Sequence, residues 1–195
     1  GENGPRPYEL NISLVDALGG GELGIERFVC AHAIILALEG VPGFYDHSLL
    51  ATPSDHDAVE RTGAPRSINR SRRERAEVEA ALAEPSSDTA RIFARLTELM
   101  TLRRRQPAFH PNATQFTLSL GSNLFGFWRQ SMDRGQSIFA IANVTDRPQE
   151  LELAALNLIA TEDWNDLISG EGLPEIDGRL TLAPYAAVWL TNRPG

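Results

Sequence analysis

Residues 25–38 are apolar at nearly every position, a pattern typical of a helix that is buried on most of its sides. Gly40 and Pro42 end this helix, and a mostly apolar segment over residues 41–50 follows directly. A short apolar run of this kind predicts a parallel strand that is buried on both faces. Helix, tight turn and buried strand in this order indicate one step of an α/β barrel.

Two more helices are predicted after a polar loop over residues 51–70. Residues 72–84 have the composition of a helix, and Ser87 or Asp88 can cap the helix that follows. In that following helix, Ile92, Leu96, Leu99 and Arg103 recur at helical spacing.

The hydrophobic pattern changes from a helical to an alternating period after Pro111. Strand-like segments follow at residues 114–120, 124–130, 137–144, 150–156, 161–168 and 185–191. Short turns rich in Gly, Asp and Asn separate the first of them, which indicates a β-meander. The change of period therefore predicts a domain boundary between residues 1–110 and residues 111–195.

Composition and charge exclude several kinds of function. A net charge of -8 argues against a dedicated nucleic-acid binder, which needs a basic face. All 18 basic residues are Arg, which excludes a Schiff-base lysine and a Walker-type phosphate loop. The single Cys30 excludes an internal disulfide, and its apolar helical surroundings predict a core residue. No signal peptide or stretch of membrane length is present, so we expect a cytoplasmic protein without a membrane partner.

Several longer motifs resemble one known family. They are residues 7–19 (PYELNISLVDALG), 40–50 (GVPGFYDHSLL), 60–70 (ERTGAPRSINR), 102–111 (LRRRQPAFHP), 163–171 (DWNDLISGE) and 182–190 (LAPYAAVWL). In this order they resemble the sucrose phosphorylase-like branch of the α-amylase superfamily, glycoside hydrolase family 13. This branch includes sucrose phosphorylases and glucosylglycerate phosphorylases.

The resemblance implies a fold and an activity. The implied fold is an α+β fragment, in which residues 1–110 form the last helix–strand–helix part of a TIM-type α/β barrel. Residues 111–195 then form a small antiparallel all-β C-terminal domain. Such enzymes form a covalent glucosyl intermediate, which inorganic phosphate releases as α-glucose 1-phosphate. The family's catalytic Asp, Glu and third Asp would lie upstream of Gly1, so we expect this chain to be inactive alone.

The partners that the resemblance implies are a carbohydrate substrate, inorganic phosphate and the upstream part of the same barrel. No cofactor and no metal are implied. Apolar surface that the upstream part would cover predicts self-association of the chain. No nucleic-acid partner is expected.

The resemblance also implies which residues bind substrate. Arg70, in the motif Ile68-Asn69-Arg70, matches the family arginine that helps to hold the glucosyl unit through an Asp on another loop. Tyr8 and Glu9 match the loop that contributes to the acceptor subsite. Sucrose phosphorylases usually carry Gln where Glu9 stands, which argues against fructose as the acceptor.

The arginines around this motif allow two interpretations. They form a basic cluster made of Arg66, Arg70, Arg72, Arg73 and Arg75. The cluster is either a solvated helix face with i,i+4 partners such as Glu79, or a source of guanidinium groups for a substrate pocket. In the second case Arg66 and Arg70 are the candidate groups, since a guanidinium can bind two sugar hydroxyls or a phosphate.

Two further candidates follow from position alone. Asp46 lies near the end of the predicted strand, where barrel enzymes place functional groups; the alternative is a buried carboxylate paired with an arginine or a backbone N–H. His47 comes next and is a candidate donor to a sugar hydroxyl. Ser48 has no nucleophile elbow around it. The four histidines, His32, His47, His56 and His110, show no metal-ligand spacing, and His32 is expected to be a satisfied core residue.

A competing interpretation makes residues 112–195 an independent β-sandwich that binds carbohydrate or a protein partner. Trp128, Trp164 and Trp189 could then stack on sugars. Trp128 and Trp189 lie within apolar runs, however, which favours a place in the core.

Overall fold

The computed structural model describes residues 10–156, 164–174 and 178–193. Its helices are α1 (Leu14–Ala17), α2 (Gly24–Ala37), α3 (Asp46–Leu49), α4 (His56–Thr62), α5 (Arg75–Ala83) and α6 (Asp88–Arg104). Short 3₁₀ helices occur at Pro65–Asn69, Pro107–Phe109 and Leu153–Leu156. The strands are β1 (Thr114–Thr117), β2 (Leu124–Gln130), β3 (Ser137–Asn143), β4 (Gln149–Glu152), β5 (Asn165–Asp166), β6 (Arg179–Leu182) and β7 (Ala187–Thr191).

The chain divides into two compact units. The first comprises Gly1–Gly21 and Phe44–Phe93, and the second comprises Glu22–Gly43 and Ala94–Gly195. This grouping places α2 in the same unit as the β strands. The division into barrel residues 1–110 and β-domain residues 111–195 stays a prediction.

Side-chain caps begin two helices of the first unit. The Asp55 carboxylate accepts a hydrogen bond of 2.8 Å from the N–H of Ala58 at the start of α4. The Ser87 hydroxyl accepts one of 3.0 Å from the N–H of Ala90 at the start of α6, as predicted. Helix α4 ends at Gly63, whose φ of 67° is the left-handed conformation that glycine adopts without strain.

The strand predicted over residues 41–50 is wrong. Among the described residues, none pairs with residues 41–45 as a strand, and Asp46–Leu49 form the single turn α3. The backbone is extended at Tyr45, but Val41 is 83% exposed and Tyr45 is 50% exposed. Because a parallel strand needs hydrogen bonds to neighbouring strands, an apolar run without such neighbours does not form one.

Helix α2 lies close to its predicted position and packs against β3 and β7 in the second unit. The side chains that it buries are Phe28, Val29, Cys30, His32, Ala33, Leu36 and Ala37. Ile35 is 37% exposed, so the burial is broad without being complete.

The sheet of the second unit has the strand order β1-β2-β3-β7-β5, and every pairing is antiparallel. The meander predicted over the first four strand segments is confirmed for β1, β2 and β3, and it is wrong for the fourth, because β4 does not pair with β3. Strands β4 and β6 form a separate pair. The prediction missed β6, which is only four residues long, and extended β4 into residues that form a 3₁₀ helix. Residues 161–163 of another predicted strand lie outside the described residues.

The core of this unit gathers apolar side chains from the strands and the loops between them. Its buried cluster contains Phe139, Ile141, Leu151, Leu153, Leu156, Leu182 and Leu190. Burying one such side chain fully contributes about 1.5–3 kcal/mol. Trp128 and Trp164 pack partly buried against this cluster, and Trp189 is 1% exposed with its ring 4.9 Å from that of Phe109. The predicted core position of Trp189 is therefore confirmed.

Candidate functional site

A cavity in the first unit collects polar side chains from three segments of the chain. Its polar lining consists of Ser13, Tyr45, His47, Ser48, Thr52, Asn69 and Ser71. Leu14, Val15 and Pro53 complete its wall. We call it the Thr52 cavity. It includes His47 and Ser48 from the motif at residues 40–50 and Asn69 from the motif at residues 60–70.

Hydrogen bonds to backbone groups fix the three segments relative to each other. The N–H of Ser13 donates to the hydroxyl of Ser54 over 2.9 Å, and the N–H of Ser54 donates to the Asp16 carboxylate over 2.7 Å. The N–H of Asp55 donates to the carbonyl of Ile68 over 2.8 Å. Since Ile68 is 6% exposed, its burial anchors the last segment.

Asp16 is the ionised group of this network. Burial alone would raise the pKa of Asp16, but hydrogen bonds from Ser54 and Ser13 outweigh it and leave the pKa below its ordinary value. The carboxylate is therefore charged at neutral pH, and it holds the loop from residue 54 against α1.

Tyr45 joins two sides of the Thr52 cavity. Its hydroxyl donates a hydrogen bond of 2.7 Å to the backbone carbonyl of Asn69. Its ring lies 5.0 Å from the imidazole of His47, at an interplanar angle of 59°. The aromatic pair thus forms one side of the cavity.

Three buried polar atoms in the lining lack a hydrogen-bond partner among the described residues. They are Nδ1 of His47, Oγ1 of Thr52 and Oδ1 of Asn69. A buried polar group left without a partner costs about 1–3 kcal/mol. Buried polar atoms are normally satisfied by ordered water or by polar groups of another molecule, and three of them at one cavity make it the candidate site.

Asp46 does not lie where the sequence predicted. Asp46 is the first residue of α3 and is exposed, so it does not lie at a strand end or in the core. Its carboxylate accepts a hydrogen bond of 3.0 Å from the N–H of His47, the residue that follows. The pairing with a backbone N–H is confirmed, whereas the burial is wrong because the predicted strand does not form.

Arg66 and Arg70 belong to one short element. Arg66 lies in the 3₁₀ helix Pro65–Asn69, and Arg70 directly follows Asn69. Both side chains are exposed. Within the part of the chain that the structure describes, the Arg70 guanidinium has no ion pair.

The solvated-face interpretation of the basic cluster holds for Arg75. Its guanidinium contacts the Glu79 carboxylate at 2.7 Å, and the two side chains are 90% and 60% exposed. An exposed pair of this kind contributes only a few tenths of a kcal/mol. Tyr8 and Glu9, the candidates for the acceptor subsite, lie outside the described residues.

His32 and Cys30 are core residues, as predicted. Nδ1 of His32 donates to the carbonyl of Phe28 over 2.8 Å, and burial lowers the pKa of this imidazole. The Cys30 thiol lies 3.6 Å from the carbonyl of Asn143, and burial raises its pKa to about 11. A thiol of this kind is unreactive at neutral pH.

Sequence reasoning found His47 but missed its neighbours in the cavity. Asn69 lies inside the motif that singled out Arg70, so the motif contained a signal that was not used. Thr52 carries no such signal, because a threonine in a polar loop is ordinary. The described residues include no cluster of potential metal ligands and no helix that could cross a membrane.

Comparison with protein families and with curated relatives gives consistent matches. Residues 114–189 match the family Maltogenic Amylase, C-terminal domain. A glucosylglycerate phosphorylase of Allomeiothermus silvanus is 40% identical over 97% of this chain and 32% of its own length. The glucosylglycerate phosphorylase of Escherichia coli is 31% identical over 94% of this chain and 32% of its own length. The chain thus spans about a third of the length of these relatives.

Comparison with solved structures agrees in fold. AmyP in complex with maltose superposes with a TM-score of 0.72 at 16% identity, over 90% of this chain and 36% of that chain. A trehalose-6-phosphate hydrolase of Bacillus licheniformis gives a TM-score of 0.64 at 17% identity, over 94% of this chain and 42% of that chain. These structural matches confirm the α+β fragment with a C-terminal all-β part. The curated relatives confirm the resemblance to glucosylglycerate and sucrose phosphorylases.

Proposed function

We propose that this chain, which has the sequence and fold of the C-terminal region of α-amylase superfamily phosphorylases, is the C-terminal portion of a retaining α-glucoside phosphorylase. The full enzyme would transfer an α-glucosyl unit from glucosylglycerate or sucrose to inorganic phosphate. The observation that carries the proposal is the 40% identity to a glucosylglycerate phosphorylase over 97% of the chain.

The chain alone is inactive under this proposal. Retaining glucosyl transfer needs a nucleophilic carboxylate and an acid/base carboxyl group roughly 5 Å apart. The described lining of the Thr52 cavity contains no Asp or Glu. We assign the catalytic carboxylates to the part of the enzyme that the matched relatives have and this chain does not span.

Arg70, Arg66, His47, Tyr8 and Glu9 are the substrate-binding residues of this proposal. For Arg70 the support is its exposed guanidinium, which has no ion pair within the described residues, and its place directly after Asn69 in the cavity lining. His47 is supported by the unpartnered Nδ1 atom in the same lining. Tyr8, Glu9 and Arg66 are proposed from the motifs at residues 7–19 and 60–70, which resemble those of the sucrose phosphorylase-like branch.

The acceptor we favour is glycerate or a related group rather than fructose. A carboxylate at Glu9 accepts hydrogen bonds but cannot donate them, so it favours a glucosyl acceptor whose hydroxyl groups donate to it. It would repel the carboxylate of glycerate unless a nearby arginine such as Arg66 neutralised it. The relatives support the choice, because the glucosylglycerate phosphorylases match over 94–97% of the chain and a sucrose phosphorylase of Agrobacterium vitis over 69%.

Exposed apolar side chains support a contact with the upstream part of the barrel. Leu10 and Val41 are each 83% exposed, and Tyr45 is 50% exposed. Each of these side chains exposes much of its apolar surface, which contact with another surface would cover, so the isolated chain would self-associate or bind the upstream part supplied in trans. Dilution-dependent light scattering of the chain, with and without the upstream part, tests this. The cytoplasmic location stays a prediction.

The test of the proposed function compares two substrates. The full-length protein and the 195-residue chain are each incubated with inorganic phosphate and either glucosylglycerate or sucrose, and glucose 1-phosphate is measured. We expect release by the full-length protein only, with the higher kcat/KM for glucosylglycerate. A kcat/KM for sucrose at least equal to that for glucosylglycerate would refute the acceptor, and product from the isolated chain would refute its inactivity.

The competing β-sandwich function has weaker support. Trp189 is 1% exposed, and Trp128 stacks on Phe116 at 4.8 Å and on Phe139 at 5.9 Å. A tryptophan already stacked on both sides offers little face to a sugar.

A further inference from the structure

The Thr52 cavity has unpartnered polar atoms from two different parts of the first unit. His47 and Thr52 belong to α3 and the turn after it, and Asn69 ends the 3₁₀ helix Pro65–Asn69. Thr52 itself is 5% exposed. Its backbone N–H donates to the carbonyl of His47 over 2.9 Å, so this backbone group has a partner, whereas its side-chain Oγ1 has none among the described residues.

The chemistry of the lining selects a neutral ligand. The described lining residues include no Arg, Asp or Glu, so no guanidinium or carboxylate of the lining balances an anion or a cation. Oδ1 of Asn69 needs a hydrogen-bond donor, whereas Nδ1 of His47 and Oγ1 of Thr52 can each pair with a hydrogen-bond donor or acceptor. A hydroxyl is both, so hydroxyl groups satisfy all three atoms at once.

The size of the cavity limits how much of a ligand enters. The centres of water-sized groups can occupy a volume of about 30 Å³ in it, which is enough for about two such groups. A sugar ring is larger than this, whereas a terminal diol fits. Leu14, Val15 and Pro53 provide apolar wall for the carbon atoms that carry the hydroxyls.

We propose that the Thr52 cavity binds the terminal diol of a small neutral polyol. Two hydroxyls bond to the side chains of His47, Thr52 and Asn69, and the carbon chain lies against the apolar wall. The cavity shares His47 with the proposed substrate site, so any part it has in the reaction rests on the proposed function. Binding itself does not, because it needs only residues of this chain.

The experiment uses the isotope-labelled 195-residue chain and glycerol as the probe, with amide NMR shifts as the readout. We expect saturable shifts at His47, Thr52 and Asn69. Propanol has the same carbon number with one hydroxyl, and it should bind about tenfold more weakly because hydrogen bonds are lost. Inorganic phosphate, as an anion, should cause no saturable shift at these residues.

Thr52→Val tests the role of the hydroxyl, since valine has nearly the shape of threonine. It should weaken glycerol binding by about two- to tenfold, the effect of one hydrogen bond. Thr101→Val is the matched control, because Thr101 is an exposed residue of α6, and it should leave binding unchanged. If Thr52→Val fails to fold, His47→Phe answers the same question.

Two results would overturn the proposal. One is the absence of saturable shifts with glycerol, which would mean that water alone satisfies the cavity. The other is equal binding by the wild-type chain and the variants that remove a lining polar atom. Neither result depends on phosphorolysis by the full-length protein, so failure of the proposed function and failure of this inference remain distinguishable.

Discussion

The guanidinium of Arg129 on β2 donates a hydrogen bond of 2.9 Å to the backbone carbonyl of Ala37, at the end of α2. The two residues are 92 positions apart in the sequence. Arg129 is fully buried and also donates to the carbonyls of His110 and Ala113. One side chain therefore satisfies three carbonyl groups from two segments of the second unit, the end of α2 and the loop of residues 110–113.

Replacing Arg129 should destabilise this unit strongly. Arg129→Met keeps much of the side-chain volume but leaves buried carbonyls without donors, so we expect a loss of about 3 kcal/mol or more in the free energy of unfolding. Arg129→Lys should cost less than Met but more than nothing, because an ammonium cannot reproduce the planar fork. Urea denaturation measures both. Arg75→Met, at a 90% exposed side chain, is the control and should change stability little.

Arg129 also shows why part of the fold could not be read from the sequence. The pattern of residues 124–130 predicted β2 correctly, but an arginine in that pattern gives no signal that its side chain is buried. Its burial depends on three carbonyls that are distant in the sequence, and no local pattern reports them. The failed strand over residues 41–50 has the opposite cause, since its apolar pattern was strong but its pairing partners are absent from the described residues.

His32 should make stability depend on pH. Burial lowers the pKa of this imidazole below its ordinary value of 6.5, although its hydrogen bond to the Phe28 carbonyl opposes the shift. Below about pH 6.5 the unfolded chain therefore binds a proton here more readily than the folded chain. The free energy of unfolding should fall as the pH is lowered from about 6.5 towards the pKa of His32 in the folded chain. At higher pH, His32 should not affect the free energy of unfolding.

His32→Gln provides the measurement, because it removes the titrating group and keeps a polar side chain. The difference in melting temperature between pH 7.5 and pH 5.5, two conditions of about one unit on either side of the ordinary histidine value, should be smaller in this variant than in the wild type. His110→Gln, at an exposed histidine, serves as the control. An unchanged pH dependence in His32→Gln would show that other groups cause the acid sensitivity.

Gly126 on β2 has no room for a side chain. A Cβ atom there would lie 2.9 Å from Cδ1 of Leu120, 3.1 Å from Cγ1 of Ile141 and 3.2 Å from the backbone oxygen of Ala140. Leu120 can move its terminal methyl group, but Ile141 is 1% exposed and the Ala140 oxygen is fixed by the sheet. Gly126→Ala should therefore destabilise the chain by about 1–3 kcal/mol.

Gly43→Ala is the matched control for this prediction. No atom lies within 4 Å of a Cβ placed at Gly43, and its backbone is not in the left-handed region. Alanine there should be neutral or slightly stabilising, since it restricts the unfolded chain. Equal urea midpoints for the two variants would contradict the steric argument.

Only part of the candidate site could be named from the sequence, His47 by its position and Arg70 by its motif, and their roles in substrate binding stay predictions. His47 was expected to meet a ligand hydroxyl and lies in the cavity lining, and Arg70 adjoins Asn69 there. Ser13 and Thr52 reach the same cavity through hydrogen bonds between segments about 40 residues apart, such as the one from Ser13 to Ser54. Only the folded backbone brings such distant segments together, and the hydrophobic and polar pattern of the sequence does not show it.

Arg70→Ala in the full-length enzyme tests the assignment of the substrate-binding arginine. Arg70 is exposed, and its guanidinium has no ion pair in the part of the chain described, so folding should be nearly unaffected. A charge-assisted contact to the loop that holds the glucosyl unit contributes about 2–3 kcal/mol. The kcat/KM for phosphorolysis should then fall by roughly 30- to 150-fold.

Arg72→Ala is the control, because Arg72 belongs to the same basic cluster and is also exposed. It should keep wild-type kcat/KM, since a solvated arginine contributes only a few tenths of a kcal/mol. Melting temperatures of both variants separate a binding defect from a folding defect. Wild-type activity in Arg70→Ala together with a strong loss in Arg66→Ala would assign the role to Arg66 instead, because Arg66 lies in the 3₁₀ helix that Arg70 follows and only the arginine directed at substrate affects the rate.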